Sequence, residues 1–125
     1  MFSLVLRTYL CLVEIDVLMR FGDLESIHRR VRKSATRSVT ARTGPAVNEL
    51  CRAVDLACAF YFKKILCLQR SAVTTLQLRK YGYRAELAIG AQILPFKSHA
   101  WVEIDGVVVN DKPYMRDIYQ VLERC

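Results

Sequence analysis

Cysteine, histidine and aspartate fall in order along the stretch from Cys67 to Asp111. Cys67 opens Cys67-Leu68-Gln69-Arg70-Ser71, His99 opens His99-Ala100-Trp101-Val102-Glu103, and Asp111 closes Val107-Val108-Val109-Asn110-Asp111. Thiol, imidazole and carboxylate are the parts of an activated nucleophile. The imidazole takes the thiol proton, and the carboxylate fixes the ring's tautomer and orientation. Such a thiolate attacks a carbonyl carbon, the first step of peptide hydrolysis or of amide transfer. At a helix start, unpaired backbone N–H groups and the positive end of the dipole favour thiolate and can hydrogen-bond the oxyanion formed on attack.

The elements that must position these groups are legible from periodicity. A helix is expected from about Cys67 to Lys80, with Leu68, Ala72, Thr75 and Leu76 as its inner stripe, Arg79 and Lys80 in its last turn and Gly82 as its C-terminal cap. Period two then takes over, with Ala85, Leu87 and Ile89 alternating with Arg84, Glu86 and Ala88, the pattern of a half-buried strand. Gly90 to Lys97 reads as a connection leading to His99. Strand parity constrains the next two strands, because His99 and Asp111 meet only if they leave the same face of paired strands. A two-residue turn at Asp105-Gly106 would set Ala100 opposite Asp111. A three-residue loop, Ile104-Asp105-Gly106, or an equivalent bulge would set His99 opposite Asp111, with Trp101 and Val109 on the same face and the indole shielding the pair from water.

Ahead of this stretch, Phe2 to about Arg20 is rich in leucine and valine and reads as a largely buried helix or one that docks a partner. Residues from about Ser26 to Gly44 read as a basic linker or arm, and a second helix follows Gly44-Pro45. Its stripe of Val47, Leu50, Cys51, Val54, Ala57, Cys58 and Tyr61 makes Cys51 and Cys58 core residues. Helices first and then an antiparallel sheet give an α+β fold, expected as one domain over 1–125. Its helical part, with the linker, covers 1–64, and the helix opened by Cys67 together with the sheet covers 65–125.

Composition narrows the function classes. The net charge of +7 is local. Arg29, Arg30, Arg32, Lys33, Arg37 and Arg42 form an acid-free run, which leaves 13 of 19 basic residues against 12 acids elsewhere. The run carries no aromatic side chain on which a base would stack, so no nucleic-acid partner is expected. Five cysteines without paired short spacings indicate neither a disulfide framework nor a zinc site, and a reducing cytoplasm suits them. Arg7, Glu14 and Asp16 interrupt the first apolar run too early for a membrane span. Cys125, at the terminus, is expected to be exposed and oxidisable, and His28, in the basic run, is set aside as the base. Spacing alone leaves a second reading open: a structural cysteine, a capping histidine and an ordinary Asn110-Asp111 turn.

The ordered set Cys67-Leu68-Gln69-Arg70-Ser71, Leu78-Arg79-Lys80-Tyr81-Gly82, Pro95-Phe96-Lys97-Ser98-His99-Ala100-Trp101-Val102-Glu103, Asp105-Gly106 and Asn110-Asp111 resembles the lasso-peptide leader peptidases. These are bacterial enzymes of the transglutaminase-like, papain-related class of cysteine peptidases. The resemblance is strong over about Leu66 to Pro113. It implies removal of the leader from a ribosomally made precursor peptide through a thioester, so that a cyclase can then close the threaded ring. Cys67 matches the nucleophile, His99 the general base and acid, and Asp111 the orienting carboxylate, with no metal or cofactor. Trp101 is expected to support the imidazole, and Arg70 to form a structural salt bridge or bind an acidic substrate group. The chain resembles the split type, whose partners are the precursor, a separate leader-recognition protein and, as a further candidate, the lasso cyclase. Ser98 stands where alanine is usual, and Ala72-Val73-Thr74-Thr75 is more polar than the usual leucine-rich helix. The competing readings are a transglutaminase-like acyl transferase using the same groups, a non-catalytic peptide-binding subunit and, third, nucleic-acid binding through Arg29 to Arg42, which would weaken steeply with salt.

Overall fold

The computed structural model describes residues 2–36, 44–93 and 96–125. Among them are five helices and a four-stranded sheet: α1 Phe2–Phe21, α2 Leu24–Lys33, α3 Val47–Phe60, α4 Cys67–Lys80, β1 Ala85–Gln92, β2 Lys97–Ile104, β3 Val107–Val108, α5 Met115–Ile118 and β4 Gln120–Arg124. The strands run in the order β3-β2-β1-β4, and every pair is antiparallel. The α+β expectation is met. Arg37 and Arg42 of the basic run, and Pro95 of the expected connection, lie outside the described residues.

The central element is α4. From Ser71 to Arg79 every residue is buried, because α1 and α3 pack on one side and the sheet on the other. Its end follows the sequence: Gly82 takes φ +92°, Gly82 N–H donates to Arg79 O (3.2 Å) and Tyr83 N–H to Leu78 O (3.0 Å). That is a Schellman cap, sealed by contact between the buried Leu78 and Tyr83 side chains. The main core joins Leu12 and Ile15 of α1, Ile27 and Val31 of α2, Val54 and Ala57 of α3, Ala72, Val73 and Leu76 of α4, and Leu87 and Ala100 of the sheet.

Several expectations are corrected. Helix α1 buries only the stripe Leu4, Thr8, Leu12, Ile15 and Asp16. Phe2, Leu6, Leu10, Val17 and Phe21 form a second apolar stripe on the opposite side, exposed to solvent. The first part of the supposed linker is helix α2. Asp23 accepts a hydrogen bond from Ser26 N–H (3.0 Å), while Ser26 Oγ accepts one from Asp23 N–H (3.4 Å), a reciprocal cap. Ile27 and Val31, one turn apart, are fully buried, and Glu25 and Arg30, Arg32 and Lys33 suit the two ends of the dipole. Much of the basic charge is already met: Arg30 pairs with Glu14 (2.6 Å), and Arg32 with both Glu25 and Glu123. Cys51 and Cys58 are only partly buried, at the rim of the core rather than inside it. Cys125 is partly buried rather than exposed, since its backbone extends the β4 ladder by exchanging two hydrogen bonds with Leu87.

Strand β1 runs on to Gln92 and β2 already begins at Lys97, so Gly90, Ala91, Gln92 and Lys97 belong to the sheet and not to a connection, and His99 is the third residue of its strand rather than the first. Gly90 pairs with His99. A Cβ there would stand 2.7 Å from Trp101 Cη2 and 2.8 Å from Tyr119 Cβ, so only glycine lets both aromatic side chains lie against the strand. Gly90→Ala is expected to destabilise the protein by about 1–3 kcal/mol through overpacking. A urea midpoint unchanged from the parent would contradict this.

Candidate functional site

Cys67 is the first residue of α4, so its N–H has no acceptor within the helix. The start of this helix is held by side chains. Gln69 Oε1 accepts from Leu66 N–H (3.0 Å), and Gln69 Nε2 donates to Asp16 Oδ1 (3.1 Å). Asp16 also accepts from Tyr61 OH (2.8 Å) and pairs with Lys63 (2.8 Å). Burial opposes ionisation of Asp16, but its bonds from Lys63, Tyr61 and Gln69 outweigh that and hold the carboxyl below its ordinary value. Burial, and then the Asp16 carboxylate, push the Tyr61 phenol up to about 12. An aspartate that interrupts the apolar run of α1 therefore anchors the turn that carries Cys67.

His99 lies on β2 and Asp111 just past β3. His99 Nε2 stands 2.6 Å from Asp111 Oδ2, and Lys112 N–H donates to Asp111 Oδ1 (2.8 Å). Burial works against the Asp111 carboxylate. The hydrogen bonds of His99 and of Lys112 N–H, with the charges of His99 and Arg70, more than offset it and lower the pKa. An ionised carboxylate only accepts, so the proton of this bond sits on Nε2 and Nδ1 is the ring's acceptor nitrogen.

The pair forms, but not through the longer loop. Asp105 (φ +50°) and Gly106 (φ +79°) make a two-residue turn with both φ positive, which sets Ile104 against Val107 and Glu103 against Val108. Parity changes just beyond. Val109 N–H still donates to Val102 O (2.9 Å), but Val102 N–H goes to the side-chain Oδ1 of Asn110 (2.8 Å) instead of to a backbone carbonyl. Asn110 Nδ2 donates to Ser71 Oγ (3.1 Å), and Ser71 Oγ to Ala100 O (3.1 Å). The chain bends at Val109–Asp111 and delivers Asp111 to His99. Val109 consequently packs on the helical side, and Val108 takes the place expected of it beside Trp101.

Arg70 donates to Asn110 O (3.3 Å) and lies 3.8 Å from Asp55, so its contacts are internal. The helix that begins with Cys67 thus also holds the bend that carries Asp111. Trp101 is fully buried and donates to Glu103 (2.8 Å), which Arg124 binds in turn (3.3 Å). The His99 ring stacks against Tyr119 (5.4 Å between centroids) and Trp101 (6.2 Å), and the imidazole edge stays partly open. Strand parity sends His99 to the Trp101 face, away from the body of α4. Cys67 and His99 nevertheless line one cavity of about 300 Å³, where α4 and β2 begin. Its walls are mainly apolar, with Met19, Leu24, Leu66, Leu68 and Ile89, and His28 joins them. His28 reaches the cavity because α2 is a helix, and its Nδ1 lies 3.4 Å from Glu123.

Sequence reading misses Asn110 as the parity switch, Asp16 and Gln69 as anchors, Tyr119 as a stacking partner and His28 as a wall. Gly90 inside a strand pattern is the available signal for Tyr119 and Trp101.

Asp16 and Asp111 have folded pKa values below their unfolded ones. The stability they contribute is present above about pH 4 and is lost as pH falls through the lowered values. Asp16→Ala is expected to cost about 2–3 kcal/mol at pH 7, by leaving buried donors unpaired, and to flatten the acid limb of stability. Urea midpoints measured from pH 7 to pH 2 check both, and an acid limb as steep as the parent's would contradict the assignment.

The model of the transglutaminase-like superfamily matches residues 9–124, and the chain belongs to that superfamily. Over 56 residues it is 43% identical to the Microcin J25-processing protein McjB of Escherichia coli, a match that takes in 45% of this chain and 27% of that protein's length. No solved structure matches the chain significantly. No helix among the described residues is long and apolar enough to cross a membrane.

Proposed function

We propose that this chain is a cysteine peptidase that removes the leader from a ribosomally made lasso-peptide precursor. The observation that carries the reading is the 2.6 Å bond between His99 and Asp111, beside a cavity that Cys67 also lines. The family, and a relative named for processing microcin J25, support it.

In this reading His99 Nδ1 takes the Cys67 thiol proton while Nε2–H stays bonded to Asp111. Sulfur bonds to the carbonyl carbon at the leader–core junction, and the Cys67 N–H helps bind the oxyanion. The C–N bond then breaks, the imidazolium proton passes to the departing core amine, and the leader remains as a thioester. Water, deprotonated by His99, releases the leader acid and restores the thiol. Trp101 and Tyr119 fix the ring, and Arg70 is a positioning residue acting through Asn110. Residues 1–125 act as one domain, since helices on both sides of residue 64 share the main core. The partners are the precursor, a separate leader-recognition protein and the cyclase that acts next, in the cytoplasm, where thiols stay reduced.

The test is incubation with a candidate precursor, with and without the recognition protein, followed by mass measurement. A free leader acid and a free core amine are expected. A new amide would instead identify an acyl transferase, and an intact precursor under both conditions would leave a non-catalytic peptide-binding subunit.

A further inference from the structure

A second cavity, of about 500 Å³, lies between α1, α2 and the last turns of α4, at the end of α4 remote from Cys67. Its charge is one-sided. Among the described residues, Arg7, Arg30, Arg79 and Lys80 border it against a single acid, Glu14, which Arg30 already binds. Arg7 and Lys80 are exposed. Arg79 is buried, and its guanidinium donates to Val31 O, to Ser34 O and Oγ, and to Ala85 O, none of them a carboxylate. Its direct acceptors are all neutral, and the charges of Cys125 and Glu86 act on it only through space, so the guanidinium is left to pair directly with a ligand's carboxylate.

Gln77 supplies an independent observation. Its side chain is 3% exposed and lines the cavity, and its Oε1 has no hydrogen-bond partner among the described residues. Burial raises the thiol of the neighbouring Cys11, and interaction with the Gln77 side chain partly lowers it again. A buried acceptor without a donor is costly to leave unpaired and calls for one. An inorganic oxyanion would suit the cations, but it can donate to Gln77 only in a protonated form, and it offers nothing to the apolar wall. A peptide segment offers both groups, a side-chain carboxylate and a backbone N–H, and Leu10 and Leu76 add an apolar wall for a neighbouring side chain. Among the described residues, no aromatic side chain borders the cavity to stack a base.

We infer that this cavity binds an acidic segment of a peptide, its carboxylate against Arg7, Arg79 and Lys80 and a backbone N–H on Gln77 Oε1. If the function proposed above holds, the segment belongs to the precursor. Gln77 to Lys80 stand ten or more residues along α4 from Cys67, roughly 15–20 Å at 1.5 Å per residue, which an extended chain crosses in no fewer than about five residues.

The test is binding to the full chain carrying Cys67→Ala, so that its outcome does not depend on catalysis. The probes are an acetylated, amidated pentapeptide with two adjacent glutamates, the same peptide with glutamines, and inorganic phosphate. The glutamate peptide is expected to shift the Arg79 Nε–H and Gln77 side-chain amide signals in NMR with saturation, and the glutamine peptide to bind at least tenfold more weakly. Reversing charge with Arg7→Glu and Lys80→Glu is expected to weaken the glutamate peptide at least tenfold as well. The absence of saturable shifts at these two side chains, equal binding by both peptides, or phosphate moving Gln77 as strongly as the peptide does would each overturn the inference.

Discussion

Cys67→Ala is expected to lose leader release altogether, a fall of roughly 10⁵–10⁶-fold, the scale on which a nucleophile acting as one unit with its base fails when removed. The reason is local. Cys67 is the cysteine that shares a cavity with His99, and it sits where a helix presents unpaired N–H groups. Burial raises the thiols of Cys11, Cys51, Cys58 and Cys125, which makes each a poorer source of thiolate. Alanine at any of those four positions is expected to leave cleavage within about threefold of the parent, unless stability falls, because surface and rim changes rarely reach a site. The check is single-turnover cleavage of the precursor by all five variants, with circular dichroism to confirm folding. Normal cleavage by Cys67→Ala would remove the peptidase reading.

Asp111→Asn carries the second-largest expected effect, a loss of about 10³–10⁴-fold in the rate of the chemical step. The geometry survives, but the electronic demand is reversed. An amide NH₂ facing His99 Nε2 asks that nitrogen to accept, which moves the ring proton to Nδ1, the nitrogen required to take the thiol proton. At pH 7 the variant is expected to lose the modest stability that the ionised Asp111 contributes, while the fold is retained. Below about pH 4 the variant is expected to be less acid-sensitive than the parent, because the lowered Asp111 carboxyl no longer titrates. Rate and urea midpoint measured on the same preparation separate the two effects. A rate within tenfold of the parent would show that Asp111 does not orient the base.

Much of this arrangement is legible in the chain, for identifiable reasons. Helix α4 has its C-terminal end written locally, with Gly82 demanding a left-handed cap and Arg79 and Lys80 in its last turn. Cys67 stands at the start of α4 as expected, whereas β2 begins at Lys97, two residues before His99. Helix α2 is hidden because its buried stripe is only Ile27 and Val31 within a run of bases, and its Asp23–Ser26 cap is the one clear local signal. Missing α2 also misplaces His28. The turn at Asp105-Gly106 looks incompatible with a His99–Asp111 pair when parity is counted on the backbone alone. An asparagine side chain that replaces a carbonyl in the ladder changes the count, and nothing in the residue pattern announces Asn110 as that side chain. The terminal strand escapes a local reading because Gln120–Arg124 is short and pairs far away with β1, a contact that only the tertiary fold provides. Asp16 reads as a flaw in an apolar helix until Tyr61, Lys63 and Gln69 are brought around it.

The central claim is that the sulfur of Cys67 becomes covalently joined to the leader while His99 and Asp111 manage the proton. Its most direct test is rapid acid quenching of the protein with its precursor, followed by intact-mass and peptide-level mass spectrometry. A mass increase equal to the leader less one water, mapped to Cys67 and lost in Cys67→Ala, is the predicted result. Cleavage proceeding with Cys67 unmodified at every time point, or an acyl group mapped to another cysteine, would contradict the account.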